Sequence, residues 1–238
     1  MFKTSAIRGL LVVSGLFVAA AQAEQFEITI QNISPNVLSP AFFGSHDGTW
    51  DLFDEGATAS AAVEAVAEGG NTGPMVADAM AAPGVYDYGV AGMAPLFGGE
   101  SASVTIMADL AHPYLSYASM IGVSNDGFIG GAIGDGAIDL FPGGVPFSGT
   151  IILTHLDVWD AGTEVNDESA DTVGALGGMG GVDEFGVITQ PHPGILGIGD
   201  IPLSFNWVPG DVAAVTIVPE PSALALAVVG ALFAFRRR

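Results

Sequence analysis

Short runs of alternating apolar and polar residues recur along the chain, separated by clusters of Gly, Pro, Asn and Asp. The first run, Phe26 to Ile30, reads apolar, polar, apolar, polar, apolar. Successive side chains of a β-strand point to opposite faces, so this pattern is typical of a strand that buries one face. Similar runs predict strands at residues 103–107, 115–121, 151–156 and 212–217. Short strands with turn residues between them predict a mainly β fold, an antiparallel β-sandwich or barrel.

Two segments break this pattern and predict short helices. Residues 54–68 are rich in Ala and lack Pro, and they place Ala62, Val63, Val66 and Ala67 on one helical face. This favours an amphipathic helix with Asp54 or Thr58 as its N-cap. Residues 71–81 predict a second short helix that begins around Pro74, a residue favoured in the first helical turn.

Glycine is very frequent, and two stretches are dominated by it, residues 130–136 and 174–186. Glycine lacks a side chain to pack and leaves the backbone free to turn. Both stretches are therefore predicted to be loops. Fragments such as GGMGGVD are reminiscent of calcium-binding nonapeptide repeats, but no nine-residue period accompanies them, which favours the loop interpretation.

The N-terminal segment has the pattern of a secretory signal peptide. A short basic region is followed by an apolar run from Gly9 to Ala21 and by the small-x-small triplet Ala21-Gln22-Ala23. We expect signal peptidase to cleave after Ala23, so that residues 1–23 direct export through the inner membrane. Because the chain contains no cysteine, its mature domain must be held together without disulfides.

The C-terminal segment, residues 219–238, reads PEPSALALAVVGALFAFRRR. Its apolar part, residues 222–235, is shorter than the roughly 20 residues of a permanent membrane span, and the three terminal arginines would stay in the cytoplasm. The Pro-Glu-Pro triplet, the apolar helix and the Arg cluster together resemble the PEP-CTERM sorting signal of Gram-negative bacteria. The resemblance implies transient membrane insertion as a transmembrane helix and removal by an exosortase; a marginal tail anchor is the alternative.

Charge excludes one large class of function. The chain has 26 acidic and 5 basic residues, and no Lys or Arg occurs between Gly9 and Phe235. Such a body repels phosphate backbones, so we expect no nucleic-acid binding, and it attracts divalent cations and cationic partners. What remains after both terminal signals, residues 24–218, has the length of one domain.

The segment from His155 to Glu168, HLDVWDAGTEVNDE, holds five acidic residues and no basic partner for them. It is either a solvated acidic loop or a metal site. Asp160 and Glu164 flank a glycine that lets a loop gather its oxygens, and Asp126 precedes a glycine in another predicted loop. Carboxylates brought together repel one another unless a cation such as Ca²⁺, which prefers hard oxygen ligands, lies between them. Four further acids are expected to be solvated or auxiliary: Asp157, Asp167, Glu168 and Asp171.

Three segments in order carry a resemblance that covers most of the chain, from Phe26 to Val218. They are SPAFFGSHDGTWDLFDEGATASAAVEAVAEGGNTGPM from Ser39, LSYASMIGVSNDGFIG from Leu115, and LDVWDAGTE from Leu156. Together they resemble the spondin N-terminal (F-spondin) domain. The resemblance implies a β-sandwich similar to C2 domains and a calcium ion held by loops at one end. It places the metal ligands at Asp126, Asp160 and Glu164, although the family commonly has Asp where this chain has Glu164.

Other groupings of polar residues indicate less. His46, near several aspartates, is expected to hydrogen-bond a loop rather than to catalyse. The remaining histidines lack the spacing of a zinc site, and nothing in the sequence fixes the distance between Asp135 and Asp139, whose pairing would suggest glycoside hydrolysis. The tryptophans are expected in the core or at the edge of the sandwich; they are Trp50, Trp159 and Trp207.

The first hypothesis is therefore an exported, non-enzymatic Ca²⁺-binding protein of the bacterial cell surface or extracellular polymer matrix. Its expected partners are an extracellular polysaccharide or a surface protein, in addition to the two processing proteases. The alternative is a carbohydrate-active enzyme that uses loop carboxylates on exopolysaccharide. A third hypothesis is a plain structural protein whose acidity serves solubility.

Overall fold

A computed structural model describes residues 23–221 as a β-sandwich of two antiparallel sheets with two short helices against one of them. The strands are β1 (Glu24–Asn32), β2 (Ala41–His46), β3 (Val85–Ala91), β4 (Ser101–Ala108), β5 (Tyr114–Met120), β6 (Gly127–Gly131), β7 (Ile138–Asp139), β8 (Gly149–Thr154), β9 (Val158–Asp160) and β10 (Asp211–Pro219). The helices are α1 (Ala61–Gly69) and α2 (Gly73–Ala81). This confirms the predicted mainly β sandwich with two short helices.

The first sheet has the strand order β4-β1-β10-β8, and the second has the order β3-β2-β5-β6-β9 with β7 paired to β5. The first and last strands of the domain, β1 and β10, are neighbours at the centre of the first sheet, in a register that pairs Ile28 with Ile217. The two ends of the described chain therefore form adjacent central strands of one sheet. Strand β9, which carries Asp160, lies at the edge of the second sheet beside β6.

The main core lies between the two sheets. Strand β1 alternates as predicted, with Phe26, Ile28 and Ile30 fully buried and pointing at the other sheet. The opposite wall includes Phe43 and Tyr117, whose rings stack at 6.0 Å between centroids. Full burial of one such side chain contributes about 1.5–3 kcal/mol relative to exposure, so this layer holds the cysteine-free domain together.

A second core covers the other face of the six-stranded sheet. Helix α1 buries the apolar face predicted for it, and α2 adds Met75 and Ala79 against residues of the sheet such as Phe42 and Phe128. The central strands β2, β5 and β6 are consequently buried on both faces, which removes the alternation of apolar and polar residues. Strand β5 was predicted nevertheless, at residues 115–121, whereas β2 and β6 were not, and β3, β7 and β9 were also missed.

The predicted start of the first helix is wrong. Helix α1 begins after Ser60, whose side chain accepts a hydrogen bond of 3.3 Å from the backbone N–H of Val63, and neither Asp54 nor Thr58 caps it. It ends at Gly70, which has a φ of 61° and lies so close to Ser39 that a Cβ there would come within 2.6 Å of the Ser39 Cβ. Only glycine suits both the left-handed backbone and this contact.

One predicted loop is also partly wrong. Gly130 and Gly131 belong to β6 and are buried, whereas the turn begins after them. A Cβ on Gly131 would lie 2.4 Å from the carbonyl oxygen of Gly136 and 2.4 Å from Cε1 of Tyr117. Glycine is present here because a neighbouring backbone and an aromatic ring pass directly over the strand.

Both terminal signals lie outside the described residues, except for the few at their inner boundaries. Within residues 23–221, neither helix has the length and apolar character needed to cross a bilayer. The predicted signal peptide and the apolar tail therefore remain sequence-based predictions.

Candidate metal centre

The pairing of β6 with β9 brings two of the predicted ligands together. Gly127 lies opposite Asp160 in this register, so Asp126, one residue earlier, reaches the same end of the sheet. The backbone carbonyl of Asp126 accepts a hydrogen bond from the N–H of Ala161. This bond joins the turn before β6 to the loop after β9. The turn before β6 is tightened by Ser124, whose hydroxyl oxygen accepts from the N–H of Gly127 at 3.0 Å.

The two carboxylate oxygens of Asp126 have different surroundings. Oδ2 accepts hydrogen bonds from the backbone N–H groups of Thr163 at 2.7 Å and of Glu164 at 3.1 Å. Oδ1 is completely enclosed and has no hydrogen-bond partner within residues 23–221. Burial, and after it the charge of Asp160, raises the pKa of Asp126 to about 6. A buried carboxylate oxygen without a partner is costly, and a cation bound at Oδ1 would remove that cost.

Asp160 is half-buried and is held at both oxygens. Oδ1 accepts from the backbone N–H of Gly162 at 2.9 Å, and Oδ2 accepts from the side-chain amide of Asn166 at 2.7 Å. Gly162 has a φ of 67°, and a Cβ there would lie 2.6 Å from the carbonyl oxygen of Val187. The glycine predicted to let this loop turn is thus required by its conformation and by the close backbone.

His192 joins these two aspartates, a contact that its spacing from the other histidines in the sequence did not predict. It is 3% exposed, and ligand atoms of Asp126, Asp160 and His192 lie within 4.8 Å of one another. No other group of three or more potential ligands this close occurs in the described part of the chain. These three residues form the acidic end-loop site, which could hold a metal ion.

The hydrogen bonds of His192 define its protonation. Nδ1 accepts from the backbone N–H of Gly194 at 3.0 Å, so the proton of the neutral ring is on Nε2, which lies 3.1 Å from Oδ1 of Asn166. The amide of Asn166 in turn donates to Asp160. Burial lowers the pKa of His192 to about 4, so the ring is neutral at pH 7. Both nitrogens are therefore engaged, and His192 orients Asp160 through Asn166.

Glu164, the third ligand implied by the resemblance, is buried, but its carboxylate is not part of the acidic end-loop site. Oε1 accepts a hydrogen bond of 2.8 Å from the backbone N–H of Gly181. Burial raises the pKa of Glu164 to about 7, and the charges of Glu68 and Asp126 add to this effect. The side chain is thus close enough to Asp126 to interact with it electrostatically, and its role as a ligand stays a prediction.

Glu168 differs from the expected solvated acid. It is 5% exposed, and its carboxylate accepts hydrogen bonds from the consecutive backbone N–H groups of Leu196, Gly197 and Ile198. A carboxylate held by three N–H groups clamps the segment around residue 197 to the loop that follows Asp160. Asp167 and Asp171 do lie on the surface or close to it.

The other candidates have mainly structural positions. His46 is fully buried; Nδ1 accepts from the N–H of Gly48, and Nε2 lies 2.9 Å from the Ser116 hydroxyl, which agrees with the predicted loop contact. Trp159 and Trp207 are in the core, as predicted.

Two sheets and a buried acidic cluster in the loops at one end define a β-sandwich protein with a candidate metal centre. The Spondin_N family profile matches residues 19–169, well over half of the chain, and the protein belongs to the spondin N-terminal family. The match includes Asp126, Asp160 and Glu164, and it ends before His192 and the central strand β10. No curated protein sequence matches the chain. Proteins with this domain are generally extracellular and non-enzymatic.

Proposed function

We propose that this protein binds a calcium ion at the acidic end-loop site and acts as an adhesive or structural component outside the cell. The observation that carries the proposal is the enclosed Oδ1 atom of Asp126, which has no hydrogen-bond partner within residues 23–221 and lies beside Asp160. An ionised pair of carboxylates at this spacing is unfavourable in a buried site, and a bound cation reverses the sign of that interaction.

The donor atoms favour a hard cation. The carboxylates of Asp126 and Asp160 supply oxygen, and backbone carbonyls and water can complete the six to eight oxygens that Ca²⁺ takes. A transition metal would compete for the ring of His192, but both nitrogens of that ring have hydrogen-bond partners. We therefore assign Asp126 and Asp160 as ligands and His192 as a residue that positions Asp160 through Asn166. Glu164, whose carboxylate lies outside the acidic end-loop site, is kept as a third ligand only on the family resemblance.

Calcium would supply two things here: neutralisation of buried negative charge, and a link between the loops before β6 and after β9. Asp126 is already hydrogen-bonded to the second of these loops through Thr163 and Glu164. An ion that also contacts Asp160 makes this end of the sandwich rigid. It could also bridge the acidic protein to an acidic polysaccharide, since one Ca²⁺ can accept oxygens from both.

Thermal unfolding of the full chain in Ca²⁺ and in chelator at matched ionic strength tests the metal site. A ligand that binds only the folded state, present at about one hundred times its dissociation constant, raises the free energy of unfolding by about 2.7 kcal/mol. We expect this gain in the wild type and in Asp78→Asn, which removes an exposed charge on α2, and we expect its loss in Asp160→Asn. Equal melting temperatures of the wild type in both solutions would refute the calcium site.

The export route is a separate part of the proposal. Strand β1 begins at Glu24 and β10 ends at Pro219, so removal of residues 1–23 and of the tail beyond Pro219 would leave every strand intact. This supports processing by signal peptidase and by an exosortase that acts on a PEP-CTERM signal. Mass spectrometry of the exported protein should give an N-terminus at Glu24 and a C-terminus near Pro219; a retained tail would favour a membrane anchor.

Adhesion is tested by co-sedimentation of the protein with acidic and neutral exopolysaccharide, with and without Ca²⁺. We expect retention that needs both the acidic polymer and calcium and that Asp160→Asn abolishes. The carbohydrate-active alternative predicts polymer cleavage that a single Asp→Asn change abolishes.

A further inference from the structure

A wide cleft lies along the open side of the sandwich, between β8, the edge strand of the first sheet, and the segment that follows β6 in the second. Its volume is about 660 Å³, within the usual range of small-molecule sites. Phe147, Ile151 and Pro142 contribute apolar surface to its walls, and four acidic residues line it. We call it the open-edge cleft.

Three of these carboxylates are held in the same way, each by one oxygen. Asp135 accepts from the backbone N–H of Glu55 at 2.9 Å, and Asp139 accepts from the N–H of Phe141 at 2.8 Å. Asp157 accepts from the backbone N–H and the hydroxyl of Thr154 through Oδ2. In each case the second oxygen makes no hydrogen bond to a residue in the 23–221 range. The carboxylates are thus oriented in advance, and each has an acceptor atom left for a ligand.

A buried polar group also faces the cleft. Tyr117 is 3% exposed and lines the cleft, yet its hydroxyl has no hydrogen-bond partner in the described part of the chain. The hydroxyl keeps a small solvent contact, and Tyr117 lines the cleft. Burial, and after it the charge of Asp157, raises the pKa of Tyr117 and keeps the phenol protonated. Buried tyrosines usually find a partner for this group, so its freedom here points to a ligand.

The acidic lining favours a cationic ligand, and the spacing of its acids favours one larger than a single metal ion. Residues 23–221 contain no Lys or Arg that could neutralise the cleft. The acids of the cleft do not converge closely enough to form a metal-binding group, since the only such group in residues 23–221 is the acidic end-loop site. A primary ammonium group donates three hydrogen bonds and needs several acceptors around it, whereas its carbon stem needs apolar contacts. The open-edge cleft offers both.

We propose that the open-edge cleft binds an organic cation, a primary ammonium group on an apolar stem. Asp157 and the Tyr117 hydroxyl accept its hydrogen bonds at the buried end, the charges of Asp135 and Asp139 attract it from the walls of the cleft, and Phe147 packs against the stem. The ammonium group belongs either to a free amine or to a lysine side chain of a partner protein. This site is separate from the proposed calcium site and does not depend on it.

Calorimetric titration of the full chain at constant Ca²⁺ tests the proposal with two probes, 1,5-diaminopentane and an oligolysine peptide. The acetylated peptide, which lacks the charge, is the matched negative control and should not bind. Asp139→Asn and Asp157→Asn keep an oxygen for the backbone N–H and lose the charge, and each should weaken binding roughly three- to tenfold. Tyr117→Phe should weaken binding about threefold without lowering the melting temperature.

Asp78→Asn carries the same loss of charge on the exposed face of α2 and should bind both probes as the wild type does. If the diamine and the peptide have equal affinity per ammonium group, the natural ligand is a free amine. If the peptide has a much higher affinity, the natural ligand is a lysine side chain of a partner protein. No heat with either probe would overturn the proposal, as would equal weakening by Asp78→Asn, because that indicates general attraction to an acidic surface. Should Asp157→Asn unfold, Asp139→Asn and Tyr117→Phe decide the result.

Discussion

The Oδ2 atom of Asp126 accepts a 2.7 Å hydrogen bond from the backbone N–H of Thr163, which fastens the loop after β9 to the turn before β6. The other oxygen of the same carboxylate is enclosed and has no partner within residues 23–221. One half of the side chain therefore has a structural role, and the other half is available to a cation. Substitutions can separate these two roles because asparagine keeps an acceptor oxygen and loses the charge.

Asp126→Asn should abolish the stabilisation by calcium while the domain stays folded. In chelator at pH 7 we expect it to be more stable than the wild type by about 1 kcal/mol, since a buried charge whose pKa is raised to about 6 no longer has to be ionised. Chemical denaturation in chelator and in Ca²⁺ measures both effects. A variant that still gains stability from calcium would show that Asp126 is not a ligand.

Glu164→Gln tests how a buried carboxyl links stability to pH. The pKa of Glu164 is raised from 4.5 to about 7, so in chelator its ionisation disfavours the folded state increasingly as the pH rises from 4.5 to 7. The stability of the variant relative to the wild type should therefore increase over that window and become constant above it. Denaturation between pH 4 and pH 8 measures the difference. A difference that does not change with pH would contradict the assignment.

His46 gives a pH dependence of the opposite sign. Burial lowers its pKa from 6.5 to about 4, so between these values the unfolded chain binds a proton that the folded chain does not, and stability falls as the pH falls. His46→Asn keeps an acceptor for the N–H of Gly48 and loses the ring packed against Trp50. We expect lower stability at pH 7 but a weaker dependence on pH from 6.5 to 4. If the loss of stability between pH 6.5 and pH 4 is the same in the variant as in the wild type, another group, such as His192, causes it.

Glu168→Gln should loosen the segment at residues 196–198. The amide keeps one acceptor oxygen, but its NH₂ group would face backbone N–H donors that now contact the carboxylate, at a cost of about 1–3 kcal/mol. Hydrogen exchange at Leu196, Gly197 and Ile198 should accelerate. Glu184→Gln, at an exposed position, is the matched control and should exchange as the wild type does. Equal exchange rates at residues 196–198 in both variants would show that the Glu168 carboxylate does not hold this segment in place.

Gly131→Ala should destabilise the domain by about 1–3 kcal/mol, because the added Cβ meets both Tyr117 and the carbonyl of Gly136. Gly174→Ala is the control, since a Cβ there has no atom within 4 Å. Urea denaturation of both variants gives the comparison. If the two free energies of unfolding agree, β6 has more room than the structure indicates.

Local pattern was sufficient for the existence of both helices and of five strands, β1, β4, β5, β8 and β10, but it missed β3, which is only partly buried. Strand β1 shows why: its inner residues pack on the core and its outer residues face away from it, so the sequence carries the alternation. Strands β2 and β6 could not be predicted this way because sheet and helices cover both of their faces. Gly130 and Gly131 were misassigned to a loop because glycine is needed there by tertiary contacts: Phe53 lies over Gly130, and Tyr117 lies over Gly131.

For the candidate site, the sequence by itself determined the chemistry: a body without Lys or Arg, and carboxylates beside glycines that cannot be neutralised from within. Tertiary structure alone decided which carboxylates meet, because the register of β6 against β9 sets Asp126 beside Asp160. It also buried His192 against them, turned the side chain of Glu164 towards Gly181, and placed Asp157 in a separate cleft. Distances between loops depend on strand pairing and core packing, and a linear pattern of charges does not contain them.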